Sequence, residues 1–234
     1  MSLTIREVNP ETDFPQLVPI LSEAWEEPVS VEQLTEWYQR RAEGWMGRRS
    51  VLVTDSGQVR GYSYVFHEPW MGDGRFHLIV IVAPNHRQQG YGQQLYDQAM
   101  QWVEPYHPSQ FNCSVQESSA AGLAFAQKHG FVIDHHMFKS KIDLTTFDGT
   151  IYDELLANLK VAGFRFFSLA GVGDTLEARR KLYDLNYACS LDDPSSDGTF
   201  IDFESFNRNF NEASWFRAEG QILASVMLGG EEIL

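Results

Sequence analysis

The sequence predicts an α+β protein, a mixed and mostly antiparallel sheet flanked by helices, and three observations carry that prediction. Strand-like apolar patterning marks Leu3–Val8, Ser50–Thr54, Val59–His67 and Phe76–Val82. The last three of these follow one another through short connections rich in glycine, as hairpins do. Stretches with helical spacing frame them, and one such helix separates Phe76–Val82 from the next strand, which makes that connection βαβ-like.

The elements come in order. Pro10–Pro19 reads as a turn running into a helix that ends near Trp25. A second helix covers Val31–Arg41, started by Ser30 with Gln33 three positions on, the spacing of a capping box. Ser56-Gly57 makes a tight turn, and Met71–Gly74 separates the second and third strands of the meander. Gly90–Glu104 places Tyr91, Leu95, Ala99, Trp102 and Val103 at helical spacing. Phe111–Val115 is a short strand, and Glu117–His129 is an alanine-rich helix closed by Gly130 as its left-handed C-terminal residue. Phe131–Ile142 returns as a strand.

A boundary near Lys141–Thr150 divides a domain at 1–142 from a second at 151–234. The second repeats the opening grammar. Phe164–Leu169 is a strand, Thr175–Tyr187 a helix, Asp192–Asp197 an acidic loop and Phe203–Phe210 a short helix. Ser214–Ala218 and Ile222–Leu228 then form a hairpin turning at Glu219-Gly220. This β-α-α-β-β order matches the start of the first domain, so it is expected to be a partial second copy.

Composition excludes several classes of function. The 234 residues, 43% of them hydrophobic, suffice for a substantial core, so a wholly disordered chain is excluded. The longest aliphatic run, Leu78–Val82, is far short of a bilayer span, and no secretory leader follows Met1, so a cytoplasmic protein is expected. Cys113 and Cys189 form no metal-binding or disulfide pattern. The net charge of −14 argues against a nucleic-acid surface and is compatible with a cationic substrate such as an amine.

The segment that carries chemistry is Leu78-Ile79-Val80-Ile81-Val82-Ala83-Pro84-Asn85-His86-Arg87-Gln88-Gln89-Gly90-Tyr91-Gly92. An apolar strand runs into a loop with two glycines, and a helix begins at once. Free N–H groups and the positive dipole end of that helix suit phosphate oxygens, glycines let the backbone approach, and Arg87 and His86 are placed to add charge. No Gly-Lys-Ser/Thr is present, and the third glycine of a dinucleotide fingerprint is missing.

The pattern Val82-x-Pro84-x-x-Arg87-x-x-Gly90-x-Gly92 resembles the acetyl-CoA loop of the GNAT superfamily of N-acyltransferases. Gln127-Lys128-His129-Gly130-Phe131 resembles the helix-to-strand junction of the same family, and the order of elements agrees from Leu3 to Ile142. The resemblance implies an acetyl-CoA-dependent N-acyltransferase domain at 1–142, which moves an acetyl group to an amine by direct attack in a ternary complex. The domain at 151–234 then serves dimerisation or shapes the substrate site. The resemblance also implies that the backbone of Val80, Ile81 and Val82 pairs with the pantetheine arm, with the Val80 N–H polarising the thioester carbonyl. The amides of Gln88, Gln89, Gly90, Tyr91, Gly92 and Gln93 would hold the pyrophosphate, with Arg87 at the mouth of the loop.

Departures from the family pattern fall at the proton-transfer positions. Ala126 stands where the family often has a tyrosine that protonates the leaving thiolate, and Ser119 where it has an asparagine; Ser119 is a candidate contact for pantetheine or a helix cap. The usual carboxylate of the central strand is absent, which leaves His77 as the candidate base. Glu68 and Asp73 flank a loop and read as solvated charges able to act through water. His135 and His136 alternate along a strand, so no metal site is assigned.

The acceptor pocket implied by the family lies along the first two helices, where Trp25 and Glu26, with Tyr64 beyond, would suit a cationic amine on a small molecule or peptide. A homodimer formed at the exposed sheet edge of the second half is expected. The rival to catalysis is an acyl-CoA-binding module with little or no turnover, which Ala126 and the missing carboxylate favour.

Overall fold

The structure is a computed structural model that describes residues 2–39, 44–193, 198–211, 213–228 and 231–233. The chain folds as two compact units, Met1–Gly130 and Phe131–Leu234. Among the described residues no helix is long and apolar enough to cross a membrane.

The first unit holds a five-stranded sheet in the order β1 (Leu3–Glu7), β2 (Met46–Thr54), β3 (Val59–His67), β4 (Arg75–Val82) and β5 (Gln110–Asn112). Neighbours are antiparallel except β4 and β5, which run parallel because α3 (Tyr91–Val103) crosses between them. One face of the sheet packs against α1 (Pro10–Trp25) and α2 (Val31–Gln39) through Phe14, Leu17, Leu21, Leu34, Val51 and Val53. The alternate strand positions Leu52, Val65 and Leu78 are buried too, as are Leu95, Ala99 and Val103 of α3. After β5 the chain enters α4 (Ala120–Lys128) and turns at Gly130, whose φ of +83° is the left-handed conformation that glycine tolerates.

Several expectations shift in the first unit. The turn expected over Pro10–Pro19 is helix from Pro10 onward. Asn9 caps that helix by accepting from the Glu11 amide at 3.1 Å, and Pro10 fills the first helical position, where an amide is dispensable. Pro15 and Pro19 fall one helical turn apart on the exposed side, so the carbonyls they leave unpaired face water. The capping box forms as expected, Ser30 N donating to Gln33 Oε1 at 2.8 Å and Gln33 N to Ser30 Oγ at 3.2 Å. Residues 40 and 41, the expected end of that helix, lie outside the described residues. The strand expected over Phe111–Val115 is limited to Gln110–Asn112.

In the second unit β6 (Arg165–Ser168), β7 (Ile222–Leu228) and β8 (Glu231–Ile233) form an antiparallel sheet in that order. Between β6 and β7 lie α6 (Leu176–Leu191) and α7 (Phe203–Phe206), with α5 (Asp153–Val161) preceding them. Among the described residues Leu169, Leu182, Ile201, Phe206, Ala213 and Leu223 are its buried apolar residues. Ser214–Ala218 is not a strand: the hairpin partner of β7 is β8, with Leu228 opposite Glu231. Phe131–Ile142 belongs to no ladder either. Its strand-like composition leaves Val132 at 86% and Phe138 at 89% exposure, since a strand exists only where a neighbour accepts its backbone bonds.

Candidate active site

The site begins where two strands part. β4 and β5 pair only from Arg75–Gln110 to His77–Asn112, while β4 continues to Val82. Ala83 N donates to Arg60 O of β3 at 2.9 Å, which fixes the phase of the backbone along β4. Two-residue periodicity then turns the amides of Ile79 and Ile81 toward β3, and those of Val80 and Val82 toward the side that β5 has left. Val82 O already receives Arg87 Nε at 3.1 Å, and Arg87 Nη2 lies 3.7 Å from Glu23 Oε1 of α1.

The loop from β4 to α3 is built from backbone geometry. Gln88 has φ +61° and Gly90 φ +80°, so the chain makes two left-handed turns before α3 starts. No side chain caps α3, and its first bond is Gln94 N to Gly90 O at 3.2 Å. The amides of Gln88, Gln89, Gly90, Tyr91, Gly92 and Gln93 therefore meet no acceptor among the described residues. A Cβ at Gly90 would meet nothing within 4 Å, so open space faces these amides. Gly92 is different: a Cβ there would lie 3.6 Å from Phe125 and 3.8 Å from Val82, so it sets how closely α3 approaches α4 and β4. His86 Nε2 stands 2.6 Å from Arg60 Nη1, so its ring is turned toward β3.

On the α1–α2 face a packed cluster of polar and aromatic side chains, called the chamber below, lies beside β4. Arg49 of β2, Tyr64 of β3 and Ile79 of β4 stand opposite one another in one row, and Gly47, Phe66 and His77 form the next. The Phe66 ring stacks on Tyr64 at 4.3 Å and lies 5.2 Å from the His77 imidazole. Trp45 folds over Gly47, where a Cβ would come within 2.5 Å of the indole, and its Nε1 donates to Tyr64 Oη at 3.2 Å. The Arg49 guanidinium lies 4.2 Å from the centre of the Tyr64 ring, 5.2 Å from that of Tyr38 and 5.9 Å from that of Trp45. Burial holds His77 below the usual histidine range, so its imidazole is neutral at pH 7 and able to accept a proton. Glu68 is half-buried rather than solvated, and burial raises its carboxyl to about 7 against the opposing charge of Arg49. Asp73 is exposed, as expected.

The predicted acceptor residues divide. Tyr64 lies inside the chamber. Trp25 reaches it through Trp37, its edge-to-face partner at 6.0 Å, whose carbonyl accepts from Arg49 Nη2 at 3.2 Å. Glu26 ends α1 in a left-handed conformation and is exposed. Arg49 escaped the sequence reading. Its signal is phase: it stands in step with Val51 and Val53, both core positions of β2.

Residues 14–131, half of the 234-residue chain, match the Acetyltransferase (GNAT) family. The chain belongs to that family. Among solved structures an N-acetyltransferase from Staphylococcus aureus Mu50 is 17% identical, covers 56% of this chain and 84% of its own, and superposes with a TM-score of 0.50. A Trypanosoma brucei acetyltransferase is 21% identical over 61% of this chain and all of its own, with a TM-score of 0.47. Glucosamine-6-phosphate N-acetyltransferase from Arabidopsis thaliana is 13% identical over 61% of this chain and all of its own, with a TM-score of 0.49. No curated protein matches the chain.

GNAT membership carries acyl-CoA-dependent acetyl transfer as the general chemistry. Ser119 sits at the start of α4 and caps it, accepting from Gly122 N at 3.3 Å. Ala126 lies within α4 and offers no donor, while Tyr96 of α3 is engaged with His129, its ring stacked on the imidazole at 3.8 Å. Cys113 comes just after β5, and burial holds its thiol above the usual range and in the protonated form, which is a poor nucleophile. Among the described residues no three His, Cys, Asp or Glu side chains are grouped to hold a metal ion.

Proposed function

We propose that the domain read at 1–142, of which the first unit holds Met1–Gly130, is an N-acetyltransferase that moves an acetyl group from acetyl-CoA to an amine by direct attack. The observation that carries this reading is the joining of six unaccepted amides, 88–93, to the free edge of β4. The loop would hold the pyrophosphate, with Arg87 at its mouth. Val80, Ile81 and Val82 would receive pantetheine as an added strand, and Arg87 would yield the Val82 carbonyl to it. Ser119 would stand beside that arm.

In the transfer step the amine nitrogen bonds to the thioester carbon, the C–S bond breaks, and the sulfur leaves with the electron pair. The Val80 N–H would stabilise the charge that gathers on the carbonyl oxygen. His77, neutral and beside the aromatic wall of the chamber, would take the amine proton directly or through water, and that proton would return to the thiolate. Trp25, Glu26 and Tyr64 belong to the acceptor side of this reading. A neutral, half-buried Cys113 thiol speaks for direct attack over an acyl-enzyme.

The test combines calorimetry with thiol release. His77→Ala is expected to leave the acetyl-CoA Kd unchanged and lower kcat by about 100-fold. A full kcat in that variant would remove His77 from the mechanism. The second reading, an acyl-CoA-binding module without turnover, is favoured by Ala126; it predicts binding without thiol release across an amine panel. The second unit, read at 151–234, repeats the opening half of the first, and we assign its outer strand β8 to pairing between two copies in a homodimer. A monomer by sedimentation at micromolar concentration would overturn that assignment.

A further inference from the structure

We infer that the acceptor amine also carries a carboxylate, and that Arg49 selects it. The inference rests on the acetyl-transfer reading above and deepens it.

The first argument is an unanswered charge. Arg49 is half-buried at a strand position in phase with the buried Val51 and Val53, where a guanidinium donor that is shut off from water is costly to leave unmet. Three aromatic rings surround it, and the Trp37 carbonyl takes Nη2. Nη1 is buried and has no hydrogen-bond partner. Burial raises the Tyr62 hydroxyl well above the usual range, and the charge of Arg49 and a side-chain hydrogen bond with it offset part of that rise. Among the described residues no carboxylate oxygen stands within 4 Å of the guanidinium. One anionic oxygen would answer both the charge and the orphaned donor.

The second argument is position. Arg49, Tyr64 and Ile79 form one row across three strands, and the residue after Ile79 is Val80, whose amide faces the proposed thioester. Neighbouring strands lie about 4.8 Å apart, so the β2 backbone is about 10 Å from that of β4. The guanidinium lies over the ring of the middle strand, which shortens the remaining span to that of a small molecule.

The third argument is the sign and number of charges. Arg49 supplies one positive charge, and Glu68 is close enough for that charge to act on its carboxyl. A chamber with one cation and one carboxyl complements an amine bearing a single negative charge. It is ill suited to a phosphate dianion in a chain of net charge −14. Phe66 and Trp45 beside it accommodate an apolar side chain, so amino acids and longer ω-amino acids are the matching class.

The experiment measures thiol release by the full chain over matched trios: an amino acid, its carboxamide, and the amine lacking the carboxylate. A phosphorylated amine is run beside them. The acid is expected to exceed its carboxamide by at least about 10-fold in kcat/KM, mostly through KM. Arg49→Met is expected to bring that ratio to about 1 with the acetyl-CoA Kd unchanged, and Arg49→Lys to retain part of it. Should Arg49→Met fail to fold, the acid-to-carboxamide ratio of the parent protein decides alone. Equal use of acid and carboxamide, a preference that survives Arg49→Met, or stronger use of the phosphorylated amine would overturn the inference and leave acetyl transfer standing. Acetyl-CoA binding with no turnover of any acid would overturn it too. Failure to bind acetyl-CoA would instead overturn the reading beneath it.

Discussion

In the first unit β1 leads through two helices to β2 and β3, and the sheet order is β1-β2-β3; in the second, β6 leads through two helices to β7 and β8, and the order is β6-β7-β8. All four strand pairings are antiparallel. Each unit anchors the start of a helix with an Arg–Asp pair whose two shortest contacts are 2.6 and 2.8 Å, Arg6 with Asp13 and Arg179 with Asp174. The units differ beyond the third strand. Only the first continues into β4, the open loop, α3 and β5 among the described residues. The cofactor side of the proposed site comes from that continuation, whereas Arg49 and Tyr64 come from the part that both units share in outline, and Glu68 follows directly on its last strand.

The widest separation between the units is therefore expected in cofactor binding. Gly90→Glu places a side chain at φ +80° in the space facing six unaccepted amides, and its carboxylate would compete with the pyrophosphate for them. The acetyl-CoA Kd is expected to rise more than about 100-fold by calorimetry, a change of about 2.7 kcal/mol. Gly173→Glu, at φ +92° in the second unit, is the matched control and should leave the Kd within about 2-fold. A similar loss from both variants would mean that the second unit shares in binding, and the division of labour between the units would fail.

Stability gives a smaller contrast. Asp13 has no exposed surface and accepts from Arg6, from the Asn9 amide at 2.7 Å and from Thr12, whereas the side chains of Arg179 and Asp174 are 20% and 29% exposed. Asp13→Ala empties a buried acceptor site and leaves the Asn9 amide unmet, while Arg6, 38% exposed, turns to water, and the variant is expected to cost about 2–3 kcal/mol in urea unfolding. Asp174→Ala is expected to cost about 1 kcal/mol. Burial alone would raise the Asp13 carboxyl, but its hydrogen bonds, that from Arg6 foremost, hold it below the usual range. With the folded value depressed, its contribution is complete above about pH 4 and is lost as pH falls through the folded value. A pair of variants with equal costs would show that burial does not set the difference.

Local punctuation made much of this fold legible in the sequence. Ser30 with Gln33, Gly57, Gly90 and Gly130 each require a particular backbone conformation, so the helix start, the turn, the loop and the helix end could be read from single residues. The open edge of β4 was legible only through family resemblance, because the short β5 depends on where a neighbouring strand stops pairing. Phe131–Ile142 and Ser214–Ala218 have strand-like residues but no ladder partner, and partnership is not a local property. Arg49 was missed, and Glu68 was read as a solvated charge, for a related reason. Their environments come from cross-strand neighbours and from burial, and an isolated arginine or glutamate in sequence reads as solvated.

The smallest expected effect is the most diagnostic of that chamber. The carboxylates of the second unit with displaced titration, Asp143, Asp148, Asp174 and Asp202, are all shifted downward, held by hydrogen bonds from Thr145, Thr150, Arg179 and Ser205. Glu68 of the first unit moves the other way, because burial raises it to about 7 and the Arg49 charge offsets only part of that. A carboxyl whose folded value lies above its unfolded value of about 4.3 contributes fully below that lower value, and the contribution is lost as pH rises through about 7. A carboxamide at this position cannot ionise, so it carries no such loss. Glu68→Gln is therefore expected to gain Tm relative to the parent between about pH 5 and pH 8, with slower hydrogen exchange confined to amides of β2, β3 and β4. A Tm difference that stays flat across that interval would return Glu68 to the solvated loop charges and withdraw the partner carboxyl from the Arg49 chamber.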